Sequence, residues 1–286
     1  MSGLKLVLPM RFVDPNLPIL ANDPVINRGS LALFEPAHPA DPWASGVPVN
    51  GYSIPNIAGS SFSKLTGVTP ERSRGIYSKD SLITDSECVV KRTPKGALEV
   101  VTSDTSLTGT SRLISMFGGT ALTDYLVDNY GHSYYTSIWK KNIRAGRSGA
   151  FPYVYSAGNE ASQANNIFSY QTSVIPSVAT QSERYLGAPH ANPFLGVTAA
   201  PAMWALGIKG GGGTPVKSQF KYGYRWYTGG NSHSAAVYRI YLEDLTVSGR
   251  TYAQAYAADE AEYIKQVLTV GGRYYGDTYT DPTTLP

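Results

Sequence analysis

The chain has little of what usually announces an activity. It carries one cysteine in 286 residues. No intrachain disulfide can form, and a disulfide-stapled secreted scaffold is excluded. Cys88 lies in ECVVK, a short strand-like run, which suits a buried structural thiol better than a nucleophile. Charged residues make up only 16%, against roughly 25% in an average globular protein. The net charge is +3, with the basic residues scattered. A nucleic-acid surface would present a denser basic patch with stacking aromatics. Lys140, Lys141, Arg144 and Arg147, beside Tyr134, Tyr135 and Trp139, come nearest to one. They read instead as the solvated end of a strand. No apolar run approaches the length of a membrane helix, so membrane insertion is not expected. The opening LKLVLPM is short, broken by Pro9 and without a small-residue cleavage pattern, so it does not read as a signal peptide. Folding in a reducing cytoplasm is the expectation.

The motifs of catalysis and metal binding are equally scarce. His38, His132, His190 and His233 stand apart, with no HxxxH, HExxH or CxxC spacing, so neither a metal nor a cofactor is expected. Asp124, Asp128 and Asn129 are the candidates for the scattered loop ligands with which some sandwich lectins hold calcium. Gly131-His132-Ser133 begins like a nucleophile elbow but lacks its closing glycine. Gly210–Gly213 lacks the GK[ST] ending of a phosphate loop and reads as a loop tip. Glycosidases need two carboxyl groups about 5–10 Å apart. Glu243 and Asp244 are adjacent on a predicted strand, so they point to opposite faces. Asp259, Glu260 and Glu262 read as the solvated face of a helix. The chain is therefore expected not to be an enzyme.

What the chain does have is 21 Tyr, 29 Gly and 19 Pro, a composition suited to strands joined by turns. Residues 1–56 hold nine prolines at positions 9, 15, 18, 24, 36, 39, 42, 48 and 55, together with many large apolar side chains. Proline removes a backbone donor and bars a central strand, so this segment reads either as an extended arm, lying on its own domain or on a neighbour, or as an edge strand with long loops within the same domain. Residues 57–250 read as strands at 97–102, 112–117, 133–143, 153–156, 167–174, 201–208, 219–227 and 235–247. In the last, alternation places Tyr238, Ile240 and Leu242 toward a core, with Arg239, Tyr241 and Glu243 on a wetter face. Strand 133–143 alternates poorly and is expected to be covered on both sides. Gly158-Asn159 and Gly229-Gly230-Asn231 read as turns. Residues 251–286 open with Thr251 and Gln254 as a capping box. Tyr252, Tyr256, Tyr263 and Val267 follow on one helical face, and Gly271-Gly272 stop the helix.

The segment YYTSIWKKNIRAG resembles a strand of laminin-G or concanavalin-like modules. VYRIYLEDLTVSGRTYAQ, the helix after it and GGRYYGDTYT resemble the C-terminal part of tailed-bacteriophage structural proteins. The opening LALFEPAHPADPWASGVPVNGYSIPNIA is similar to such proteins in style. The resemblance implies a mainly β chain: a concanavalin-like antiparallel β-sandwich, or jelly roll, with a proline-rich arm and one C-terminal helix. It implies a non-enzymatic virion component, made in the host cytoplasm, whose partners are other virion proteins and copies of itself. A receptor-binding, lectin-like adhesin for host surface glycan is the alternative, with a glycan-cleaving enzyme third. An adhesin would need exposed aromatics to stack on sugar rings, and Tyr222, Tyr224, Trp226 and Tyr227 are the candidates.

Overall fold

The computed structural model describes residues 23–103, 112–145, 153–159, 165–171, 184–187, 196–211, 213–228 and 233–285. Among these the chain is mainly β, with two antiparallel six-stranded sheets. In chain order the strands are β1 (Ser30–Phe34), β2 (Ser53–Ile54), β3 (Gly75–Lys79), β4 (Cys88–Arg92), β5 (Leu98–Thr102) and β6 (Leu113–Gly118). There follow β7 (Ser133–Arg144), β8 (Tyr153–Asn159), β9 (Phe168–Gln171), β10 (Ala202–Lys209), β11 (Phe220–Tyr227) and β12 (Ser234–Asp244). The helices are α1 (Gly59–Thr66), α2 (Thr120–Asp128), α3 (Leu245–Ser248) and α4 (Tyr252–Tyr263). The first sheet runs β10-β7-β12-β5-β4, with β1 also on β12; the second runs β2-β3-β6-β11-β8-β9.

A single apolar cluster joins the inner faces of both sheets. Leu98, Val100, Ile138, Ile240 and Leu242 come from the first; Tyr77, Ile114, Met116, Tyr222 and Trp226 come from the second. That is the packing of a β-sandwich. Two smaller clusters lie on the outer face of the first sheet. One gathers Val25, Leu33, Tyr135, Tyr241 and Ala255; the other gathers Trp139, Tyr238, Tyr263, Val267 and Tyr274. Both faces of β7 and β12 are thus covered, as the weak alternation of 133–143 predicts. The C-terminal helix also forms as read. Thr251 Oγ1 accepts from Gln254 N at 3.3 Å, and Gln254 Oε1 accepts from Thr251 N at 2.9 Å. The helix widens into a π turn at Ile264–Leu268, and Gly271 follows at φ 84°.

Several expectations need correction. Of the two readings of the proline-rich segment, residues 23–56 take the edge strand with loops of the same domain, not the separate arm. Pro24 and Pro36 bracket SLALF without interrupting it, so β1 is free to hydrogen-bond along Ile240–Glu243 of β12. The prolines punctuate the strand; they do not exclude it. Residues 1–22 lie outside the described residues. Strand β12 ends at Asp244, because that residue caps α3 by accepting from Val247 N at 3.0 Å. The alternation of β12 also breaks. A register shift between Val237 and Arg239 makes Tyr238 an extra residue opposite β7. Tyr238 therefore joins the outer cluster, not the core that holds Ile240 and Leu242. Gly158 is not in a turn but inside β8, paired with Lys221, where a Cβ would fall 1.9 Å from Asn166 Oδ1. Gly210 is no free loop tip: its N–H donates to His132 O at 2.7 Å, and a Cβ would meet Tyr130 O at 1.6 Å. Strands β1 to β3 and helices α1 and α2 escaped the sequence reading. Residues 172–174, 229–232 and His190 lie outside the described residues.

Candidate functional site

The four aromatics expected to form a sugar platform are placed otherwise. Tyr222, Tyr224 and Trp226 have no exposed surface and face the space between the sheets; Tyr227 is half-buried. The hydroxyls are engaged inside. Tyr222 OH meets Tyr155 OH at 2.9 Å, and Tyr224 OH meets His233 Nε2 at 2.6 Å. Burial raises the Tyr222 and Tyr224 phenols well above their ordinary range. Residues 220–227 look like an exposed aromatic strand in sequence because tyrosine marks both cores and binding rims. The inner face of a large sandwich claims them here. Lys140 and Lys141 are likewise buried rather than solvated. Lys140 points between the sheets, donates to Asn142 Oδ1 at 2.5 Å, and is lowered by burial to about 7. Arg144 is half-buried, with Nη1 donating to Pro282 O at 3.2 Å; Arg147 lies outside the described residues. Cys88 is fully buried, its thiol raised to about 12 chiefly by desolvation.

Two groups of ionisable side chains stand out. The first is closed. Arg239, fully buried on the outer face of β12, binds Asp23 and Glu35, the latter from Nε at 2.7 Å. Its guanidinium lies 4.1 Å from the centre of the Trp139 ring. His38 Nε2 sits 3.4 Å from Asp23 Oδ2, Arg273 pairs with Glu35, and Tyr274 OH donates to Glu35 Oε1 at 3.0 Å. Burial pushes the Asp23 carboxyl up. The His38 and Arg239 contacts outweigh it and hold the group well below the usual carboxylate range. Asp23, Glu35 and His38 converge closely enough to ligate a metal. The Arg239 guanidinium already supplies the positive charge there. Nearby Asp259 is buried, not solvated as expected; it accepts from Tyr135 OH at 2.8 Å and Trp139 Nε1 at 3.2 Å. Its pKa is raised by burial, against the pull of Arg239. Glu262 is also buried, accepting from Gln266 Nε2 at 2.7 Å.

The second group is open. A cleft of about 480 Å³ lies between α1 and α2. Leu65 and Thr66 line it from the end of α1; Ala121, Asp124, Tyr125 and Asp128 line it from α2; His132, Arg72 and Val247 complete it with Val68 and Asn129. Beneath it sits Asp244, with no exposed surface. Asp244 Oδ2 accepts from Tyr125 OH at 2.7 Å and lies 2.6 Å from His132 Nδ1. Its Oδ1 is the α3 cap. Glu243, one residue back, points the other way and binds Arg250 and Tyr241, so the two carboxylates diverge as the alternation predicts. The expected calcium candidates Asp124, Asp128 and Asn129 do share this cleft, and Lys217 pairs with Asp128 at 2.7 Å. The sequence hid the His132–Asp244 pair because 112 residues separate them.

Comparison with protein-family models, with curated proteins and with solved structures finds no match to this chain.

Proposed function

We propose that this chain is a non-enzymatic structural component of a tailed-phage particle, a tail, baseplate, neck or capsid-decorating subunit that works through protein–protein contacts. Its sandwich is a concanavalin-like jelly roll in the same proposal. One observation carries the reading. Ile264, Leu268, Val270 and Tyr275 are all exposed, by 42–78%, within twelve residues of chain. Ile264 and Leu268 stand one turn apart on the π turn. Large apolar side chains gathered on a surface mark contact sites, and a low charge density makes such a surface cheap to desolvate. The partner is another copy of the chain or a neighbouring virion protein. The test is analytical ultracentrifugation of the full chain beside an Ile264→Ser/Leu268→Ser variant, with co-sedimentation on purified particles. The wild type should self-associate or ride with the particle, and the double variant should stay folded and monomeric. A wild type that remains monomeric and is missing from particles would overturn the reading.

A further inference from the structure

We propose that the cleft between α1 and α2 is a binding site for a neutral polyhydroxylated ligand, a saccharide unit, held chiefly by His132 Nε2 and the Asp124 carboxylate. The inference does not depend on whether the chain assembles into a particle.

Asp244 underlies the cleft with no exposed surface of its own. A buried carboxylate offers only acceptors, so the His132 nitrogen 2.6 Å from it must carry a proton. That assignment holds for the neutral and the charged ring alike. The carboxylate also fixes the ring plane, as partner carboxylates do for histidines that bind ligands through their second nitrogen. Tyr125 and the α3 backbone hold Asp244 in turn. Three elements thus immobilise one imidazole. Its Nε2 makes no hydrogen bond to any described residue, and the side chain remains 32% exposed on the cleft wall. A group oriented on one side and open on the other is prepared for a ligand.

The lining selects the class. Asp124 and Asp128 would repel an anion. Arg72 on the wall and Lys217 at the Asp128 carboxylate would repel a cation. A hydroxyl group meets neither penalty. It donates to Nε2 when the ring is neutral and accepts from it when the ring is charged, and a second hydroxyl can donate to Asp124. Leu65, Val68, Ala121 and Val247 offer apolar wall for C–H faces. The cleft's volume of about 480 Å³ falls in the range of small-molecule sites, roughly 300–1,000 Å³.

The test uses the methyl glycosides of glucose, galactose, mannose, N-acetylglucosamine and rhamnose, with inorganic phosphate and methylamine as the anionic and cationic probes. Long-range proton–nitrogen spectra of the full chain report His132 Nε2 directly. At least one glycoside should shift that resonance along a saturable curve, and the two charged probes should not. Saturation-transfer spectra should show that glycoside weakened by about tenfold or more in His132→Gln and in Asp124→Ala. Asp124 lies part-exposed on a helix, so its variant keeps the fold even if His132→Gln does not. The proposal is overturned if no glycoside moves Nε2. It is also overturned if phosphate or methylamine moves it instead, or if binding survives the folded Asp124→Ala change.

Discussion

Two buried carboxylates of this protein face nitrogen partners in opposite ways. On the outer face of β12, Asp23 and Arg239 are enclosed, with Glu35, His38, Trp139 and Arg273 around them. At the α2 cleft, Asp244 is as deeply buried as Asp23, yet its partner His132 keeps one ring nitrogen open. The first arrangement spends the Nε, Nη1 and Nη2 donors of Arg239 on the protein itself. It ties residues 23–38, before and after β1, to the C-terminal tail through a strand two hundred residues away. The second leaves a donor-or-acceptor position unspent. Buried charge alone therefore does not mark a site; an oriented group with an unclaimed side does.

The comparison can be broken most violently by truncation. Removing residues 1–50 deletes β1 and both carboxylate partners of Arg239, leaving that cation buried and the β12 edge bare. The truncated chain should show no cooperative thermal transition by circular dichroism. A cooperative melt would restore residues 23–50 to the status of a dispensable arm. Next in size is Arg239→Met, which removes the buried guanidinium shared by Asp23 and Glu35. Breaking a buried pair from one side costs about 3–5 kcal/mol, to be read from the urea midpoint. The same enclosure has a pH signature. Asp23 has a folded-state pKa below its ordinary value near 3.8, so its contribution is fully present above that value. It should drain away as pH falls from about 4 toward 2, because protons then bind the unfolded chain first. Arg239→Met should flatten that acid limb.

Lys140 probes the converse. Its pKa is lowered from 10.5 to about 7 in the folded chain. Between those values the unfolded state binds more protons, so stability should rise with pH from 7 to 10.5. Lys140→Met should remove the rise and leave the protein more stable at pH 7, by denaturant titration across that window. The smallest effect belongs to the open site. His132→Gln keeps a side-chain donor for Asp244, which Tyr125 OH and Val247 N still bind, and should cost about 1 kcal/mol or less. A loss as large as that of Arg239→Met would mean that the cleft is another structural clasp.

Much of the fold was legible in the sequence. The long strands 133–143, 219–227 and 235–247 announce themselves through runs of β-branched and aromatic residues, the last of them read three residues too far, and the α4 cap through Thr251 and Gln254. The mainly β class followed from these. Other features are written only in tertiary contacts. SLALF is five residues between prolines and has no period of its own; pairing with β12 makes it a strand. The charges of Arg239 and Asp259 read as solvent-facing because their partners lie more than a hundred residues away along the chain; Glu243 has its partners nearby, in Tyr241 and Arg250, but nothing in the sequence shows that its face of β12 is covered. The aromatic rim failed for a related reason: nothing in residues 220–227 says which of two sheets will cover them. Of the open cleft, Asp124, Asp128 and His132 were visible as residues. Their union over Asp244 was not.

The register shift in β12 carries a last consequence. Val237 and Ile240 point between the sheets, while Tyr238 and Arg239 both point outward. Excising Tyr238 alone would restore perfect in–out order and leave Arg239 opposite Trp139, as it is now. What would go is a ring packed on Tyr274 with centroids 4.6 Å apart, and a phenol joined to Asp277 and Tyr279. The middle of a fully buried strand thus holds one residue that the in–out order of the sheet does not require. Such a deletion would loosen the tail at one point, while Glu99 still accepts from Thr280 N and Arg144 still donates to Pro282 O and Leu285 O.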